Sequence, residues 1–310
     1  MPPSPAARRP ASDERRRRLR RTGVVSAVAL GLVATAVVVA VHEGEVPGVS
    51  ARCTATADGD EHSLTADRAA VAALIAARAR ARGLPARAAT IGIATAIQES
   101  GLRNLDHGDR DSLGLFQQRP SQGWGTPAQL QDELYATDAF FDGLVEVEGY
   151  EALEITDAAQ RVQRSGFPTA YADHEPEARV LASALTGFSP ASLVCRLPRV
   201  PATGEPQTPG EDGLAPRART VVDEAAAQLD DDGLTVVDGS GGTVLERTYG
   251  DGEDATRAGW ALAQWAVARA VGTDVVEVAT DGRRWSRGES AWVEDASAPG
   301  AGGVRITVAG

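Results

Sequence analysis

The chain has 310 residues, room for two ordinary domains with tails, and 43% of them are hydrophobic, enough for packed cores. Its formal net charge is −12, yet the first 42 residues carry eight Arg against Asp13 and Glu14, which leaves about −18 on everything that follows. So acidic a body argues against nucleic acid or anionic lipid as its ligand.

Residues 1–22 are rich in Pro, Ser and Arg, with basic clusters at Arg15–Arg18 and Arg20–Arg21, and read as a cytoplasmic tail. Gly23 to Val41 is an uncharged run of 19 small and aliphatic residues, long enough to cross the hydrocarbon core. Arg before the run and none soon after it place the N-terminus inside and the rest of the chain outside. Residues 23–42 are therefore expected to be an uncleaved single-pass anchor in the cell membrane. A cleaved signal peptide is the alternative, because the small residues from Ala36 to Ala40 leave a cleavage site open.

Residues 43–63 are polar and acidic and are expected to form a stalk. Cys53 lies there, and the other cysteine is Cys195. Two cysteines in an exported chain most simply form one disulfide, which here would tie the start of the following region to its end.

Residues 64–196 carry a succession of helix signals and few strand signals. Thr65 can cap a helix running to about Arg82, with Val71, Leu74 and Ile75 on its apolar face and Gly83 as its stop. A second helix opens at Pro85 and delivers Glu99 to its C-terminal end in apolar company. Loss of water and the negative end of the helix dipole both disfavour an ionised carboxylate there, so Glu99 is expected to hold its proton toward neutral pH. The polar stretch from Asn104 to Ser112 follows, then a helix from about Leu115 and another from Pro127 to Leu144. Further helices are expected from Thr156 or Asp157 through Gln163 and from Glu175 to Leu185.

Residues 197–216 are a Pro/Gly linker by composition. Residues 217–310 change pattern: helices over Arg217 to Leu229 and Ala255 to Val271, strands over Leu234 to Asp238, Val275 to Ala279 and Val304 to Val308. The expected architecture is thus a mainly α domain, followed by a small α/β C-terminal domain, with one N-terminal transmembrane helix. Trp285 and Trp292 are either core residues or sugar-stacking platforms. No catalytic constellation is visible in this last segment.

The mainly α domain also carries recognisable motifs. Gln98-Glu99-Ser100 followed by Gly114-Leu115-Phe116-Gln117 resembles the Glu-Ser and Gly-Leu-Met-Gln signatures of lytic transglycosylases of the goose-lysozyme-like group. Gln118 to Gly125, and the segment Ala158 to Ala172 that contains Gly166-Phe167-Pro168-Thr169-Ala170-Tyr171, are similar to the actinobacterial and phage subgroup. The likeness covers roughly Leu64 to Pro190, with three motifs in the expected order, and implies that the mainly α domain is lysozyme-like. Phe116 stands where the family has Met, and the Tyr171 segment departs from the wider family's Ala-Tyr-Asn pattern.

The resemblance implies a peptidoglycan-cleaving enzyme that breaks the bond between muramic acid and glucosamine. Glycosidic cleavage needs a proton for the leaving oxygen and stabilisation of an oxocarbenium-like centre. Glu99 would supply the proton and then, as a base, take one from the muramic acid C6 hydroxyl, closing an anhydro ring without water. Ser100 would orient its turn, Gly114 would allow close backbone approach, Gln117 would face the sugar N-acetyl groups, and Tyr171 would border the carboxyl. A hydrolytic muramidase would need a second carboxylate, for which Asp106, Asp109 and Asp111 are candidates, although they read equally well as turn acids. A non-catalytic glycan-binding or scaffold protein is the third reading, recruiting cell-wall assembly proteins. No cofactor is expected. No metal is expected either, since His62, His107 and His174 are scattered singly.

Overall fold

Cys53 and Cys195 face each other across an antiparallel ladder and are joined as a disulfide. The computed structural model describes residues 51–201 and 206–310, and Ser50–Gly310 forms one compact unit. Strand β1 (Arg52–Ala57) turns into β2 (Asp60–Thr65) through Asp58-Gly59. Both turn residues have positive φ, 52° and 90°, the backbone a tight hairpin turn of this twist requires. Strand β3 (Leu193–Arg196) pairs with the other edge of β1, giving the order β2-β1-β3.

Helices α1 (Ala66–Ala81) and α2 (Ala86–Ser100) follow the hairpin. Both are rich in Ala, and their small side chains let backbones approach: a Cβ added at Gly92 of α2 would stand 2.9 Å from the Ile75 side chain of α1. Next come the short α3 (Pro127–Leu130), then α4 (Glu133–Val145), α5 (Ile155–Gln163) and α6 (Glu175–Leu185), the last packed along α2.

The C-terminal segment supplies α7 (Pro216–Leu229) and the long α8 (Glu253–Thr273). It also forms strands β4 (Thr235–Val236), β5 (Val244–Thr248), β6 (Val275–Thr280), β7 (Arg283–Ser286), β8 (Val293–Glu294) and β9 (Gly303–Val308). They make a six-stranded antiparallel sheet in the order β4-β5-β9-β6-β7-β8. Helix α8 packs on α1 as well as on this sheet. Its buried Gln264 accepts the amides of Ser192 and Leu193 at 2.9 and 2.7 Å and donates to Ala184 O at 2.6 Å. The indoles of Trp285 and Trp292 donate to Cys195 O and Leu193 O, so β3 is held by the C-terminal segment as well as by β1. Both rings are buried, which makes them core residues and not sugar platforms.

The expected fold class is corrected. Among the described residues 43% are helical and 17% extended, in two antiparallel sheets, so the architecture is mixed α/β and not a mainly α domain with a small α/β appendage. The difference begins at residues 52–63, read as stalk, whose Thr, Ala, Ser and His show no hydrophobic alternation. Strand β1 also pairs on its other edge with β3, far along the chain, and no local pattern reports that pairing. The helix expected from Leu115 is instead a turn closed by a Leu113–Gln118 bridge, and the one expected from Pro127 to Leu144 is broken in two. Asp132 makes the break, its carboxylate accepting the amides of Leu134 and Tyr135 to cap α4. No helix among the described residues is long and apolar enough to cross a membrane, and the span expected at 23–42 lies outside the described residues.

Candidate functional site

Glu99 occupies the last turn of α2 because the sequence stops the helix immediately after it. Gly101 takes the left-handed conformation (φ 63°), its amide bonding Ile97 O and that of Leu102 bonding Ala96 O. This is the glycine-terminated end that a Ser-Gly-Leu sequence favours. The Ser100 hydroxyl lies 2.7 Å from Leu115 O and 3.0 Å from Ala96 O, and accepts the Arg103 amide at 3.2 Å. Ser100 therefore pins the Gly114-Leu115-Phe116 segment against the end of α2.

Gly114 has φ 77°, and a Cβ there would meet Leu130 O at 2.2 Å, so the close approach it permits is to α3. Phe116 is buried in a parallel stack on Phe140, centroids 4.5 Å apart. Its carbonyl accepts a 2.7 Å hydrogen bond from Gln163 Nε2 at the end of α5.

Above these residues the Glu99 carboxyl is half-buried, and the hydroxyl of fully buried Tyr171 donates to its Oε1 at 2.6 Å. Tyr171 comes from the short helical turn Ala170–His174 that leads into α6. Burial raises the Glu99 pKa above the ordinary glutamate range, against the opposing pull of hydrogen bonds from Tyr171 and Gln163, which favour the ionised form. The Tyr171 phenol is itself held protonated by burial and by the adjacent carboxyl. The site thus combines a carboxyl disposed to carry its proton with a fixed donor that stabilises the carboxylate once the proton has left. That is the property an acid that must later act as a base requires.

The remaining expected residues fall elsewhere. Gln117 has φ 46° and turns its amide onto its own loop, donating toward His107 O and Gly114 O, both at 3.3 Å. Asp106 is exposed and bonded to His107 Nδ1 at 2.7 Å, and exposed Asp109 faces Arg110. Asp111 receives Arg119 Nε at 2.7 Å and the Ser121 amide at 2.8 Å, which hold its carboxyl well below the usual range. A surface groove begins at Ala172, beside Tyr171, and is walled by Asp58, Asp60, Glu175 and Arg179, with Glu99 outside its lining.

Two partners of the site went unassigned in the sequence. Gln163 favours the ionised form of Glu99, and Ser165 that of Tyr171, each opposing the effect of burial. Both sit within the segment that carries Tyr171, whose spacing alone does not say which polar side chains turn inward. No protein-family model matches the chain, and no curated protein matches it significantly.

Proposed function

We propose that this chain is an extracytoplasmic peptidoglycan-cleaving enzyme, a lytic transglycosylase that uses Glu99 as its single acid and base. The observation that carries this reading is the 2.6 Å hydrogen bond from buried Tyr171 to a half-buried Glu99 whose pKa is raised. The motif resemblance supplies the substrate, the bond between muramic acid and glucosamine in glycan strands. In the proposed reaction the Glu99 proton passes to the glycosidic oxygen as the bond from that oxygen to the muramic acid anomeric carbon breaks. The carboxylate, steadied by Tyr171 and Gln163, then takes the proton of the muramic acid C6 hydroxyl as its oxygen bonds the same carbon. The proton on Glu99 is thereby restored and no water is consumed.

The engagement of Asp111 by Arg119 and Ser121 argues against Asp111 as the water-activating base of an inverting muramidase, because a tethered, strongly acidic carboxylate is a weak base. A second reading, a glycan-binding or scaffold protein without catalysis, is favoured by Gln117, whose amide is turned away from Glu99. Attachment through residues 23–42 to the membrane, with the bulk of the chain outside, belongs to the same proposal, as do cell-wall assembly proteins as partners.

The test is digestion of purified peptidoglycan by the full-length chain beside a Glu99→Gln twin, with products read by mass spectrometry. The enzyme reading predicts anhydromuropeptides from the parent and none from the twin. A folded parent that releases nothing while pelleting with the wall would establish the binding role instead.

A further inference from the structure

We infer that Gln98 and His174 are a positioning pair for the Glu99 site, holding the turn that carries Tyr171 against the helix that carries the acid. The inference deepens the glycan-cleaving reading above and rests on it for its consequence in catalysis. His174 Nε2 lies 2.9 Å from Gln98 Oε1. An amide oxygen only accepts, so the imidazole is the donor. Tyr171 donates to Glu99 Oε1 at 2.6 Å. Two consecutive residues of α2 are thus held by two residues of one short turn, Ala170–His174.

The form of the turn explains the pairing. It is a 3-10 helix, in which side chains three residues apart lie over one another, so Tyr171 and His174 leave it on the same side. Tyr171 is fully buried and Gln98 is exposed, so the second bond closes over the first at the surface. Before Tyr171 the chain is fastened to α5, where Thr156 Oγ1 donates to Pro168 O at 2.8 Å. After it, His174 fastens the turn to α2 at the point where α6 begins. Among the described residues neither Gln98 nor His174 is hydrogen-bonded to the Glu99 carboxyl, so the pair acts through Tyr171. A hydrogen bond weakens as its length and angle leave their optimum. A turn released at His174 would therefore give the Glu99 carboxylate less stabilisation from the Tyr171 hydroxyl.

The test follows the ionisation of Glu99 by NMR in full-length chains with labelled glutamate: the parent, Gln98→Ala, Tyr171→Phe and the double variant. Gln98→Ala removes the acceptor, leaves the imidazole and its charge in place, and puts a good helix former at an exposed helical position. In this variant Glu99 is expected to hold its proton about threefold more tightly, part of the roughly tenfold that loss of the Tyr171 hydroxyl gives. Added to Tyr171→Phe, the same substitution is expected to change nothing, because the bond it positions is already gone. An unchanged Glu99 titration in Gln98→Ala overturns the inference. A shift of equal size in both backgrounds also overturns it, since Gln98 would then act on Glu99 without Tyr171. Peptidoglycan digestion by the same chains separates this inference from the reading beneath it. A parent that releases no anhydromuropeptides overturns the enzyme, while the titrations still decide whether the pair positions Tyr171.

Discussion

Replacing Tyr171 with Phe removes one hydroxyl and leaves the ring in its buried seat. The lost contact is the 2.6 Å hydrogen bond to Glu99 Oε1, a bond that favours the carboxylate over the acid. Hydrogen bonds to charged groups contribute about 1.5–3 kcal/mol, and the half-exposure of Glu99 places this one at the low end. Losing about 1.5 kcal/mol moves the ionisation equilibrium of Glu99 roughly tenfold toward the protonated form. The direction is upward, because burial, the dominant influence, then acts against Gln163 alone. In a pH profile of kcat/KM for glycan cleavage, the limb that falls with rising pH should lie at higher pH in Tyr171→Phe than in the parent. Maximal rate should fall as well, since the carboxylate formed after proton transfer loses its donor. Titration of the Glu99 carboxyl by NMR in chains with labelled glutamate gives the same answer without activity. A limb that stays in place, or moves to lower pH, would refute the assignment of Tyr171 as the stabiliser of the Glu99 carboxylate.

Glu99→Gln should bear on stability too. The raised pKa means that the folded chain holds the Glu99 proton more tightly than the unfolded one, so this contribution is full below the ordinary glutamate range and lost as pH rises through the Glu99 pKa. The Gln variant should melt near the parent at about pH 4 and above it at neutral pH, and a parent more stable than the variant at neutral pH would contradict the burial argument. Gly114→Ala should cost about 2–4 kcal/mol in urea unfolding, from a left-handed backbone and a Cβ driven into Leu130 O. Gly123→Ala, at φ 85° with nothing within 4 Å, should cost only about 1 kcal/mol, and equal losses at the two sites would discount the Leu130 contact. Converting Cys53 and Cys195 to Ala should destabilise by up to about 5 kcal/mol, since the bridge closes a loop spanning 142 positions. Unchanged melting of that double variant under non-reducing conditions would remove the disulfide as a determinant of the fold.

The helices that hold the site were legible because their signals are local. Helix α6 runs over Glu175–Leu185 as its pattern predicts, and α2 ends at the Ser100-Gly101 step that its sequence marks. The strands expected at Leu234–Asp238, Val275–Ala279 and Val304–Val308 are present as β4, β6 and β9, whereas the first sheet was not legible, because β1 reads Arg-Cys-Thr-Ala-Thr-Ala and its partner β3 lies beyond six intervening α-helices. The one local sign of the β1–β2 hairpin is Asp58-Gly59, a dipeptide that favours a two-residue hairpin turn. The turn after Ser112 looks helical in sequence, because an apolar Leu-Phe pair does not reveal the positive φ at Gly114 and Gln117. Within the site, Glu99 and Tyr171 came from motif spacing and do meet. Gln117 was expected at the sugar, yet its positive φ turns the amide back onto the 107–114 loop.

The central claim, a single carboxylate acting as acid and then as base without water, is tested most directly by cleaving glycan strands in water enriched in heavy oxygen. The mechanism predicts that newly formed muramic acid ends are anhydro and carry no label. Label at the new anomeric position would show that water attacks there and would contradict the claim, returning attention to a second carboxylate across from Glu99.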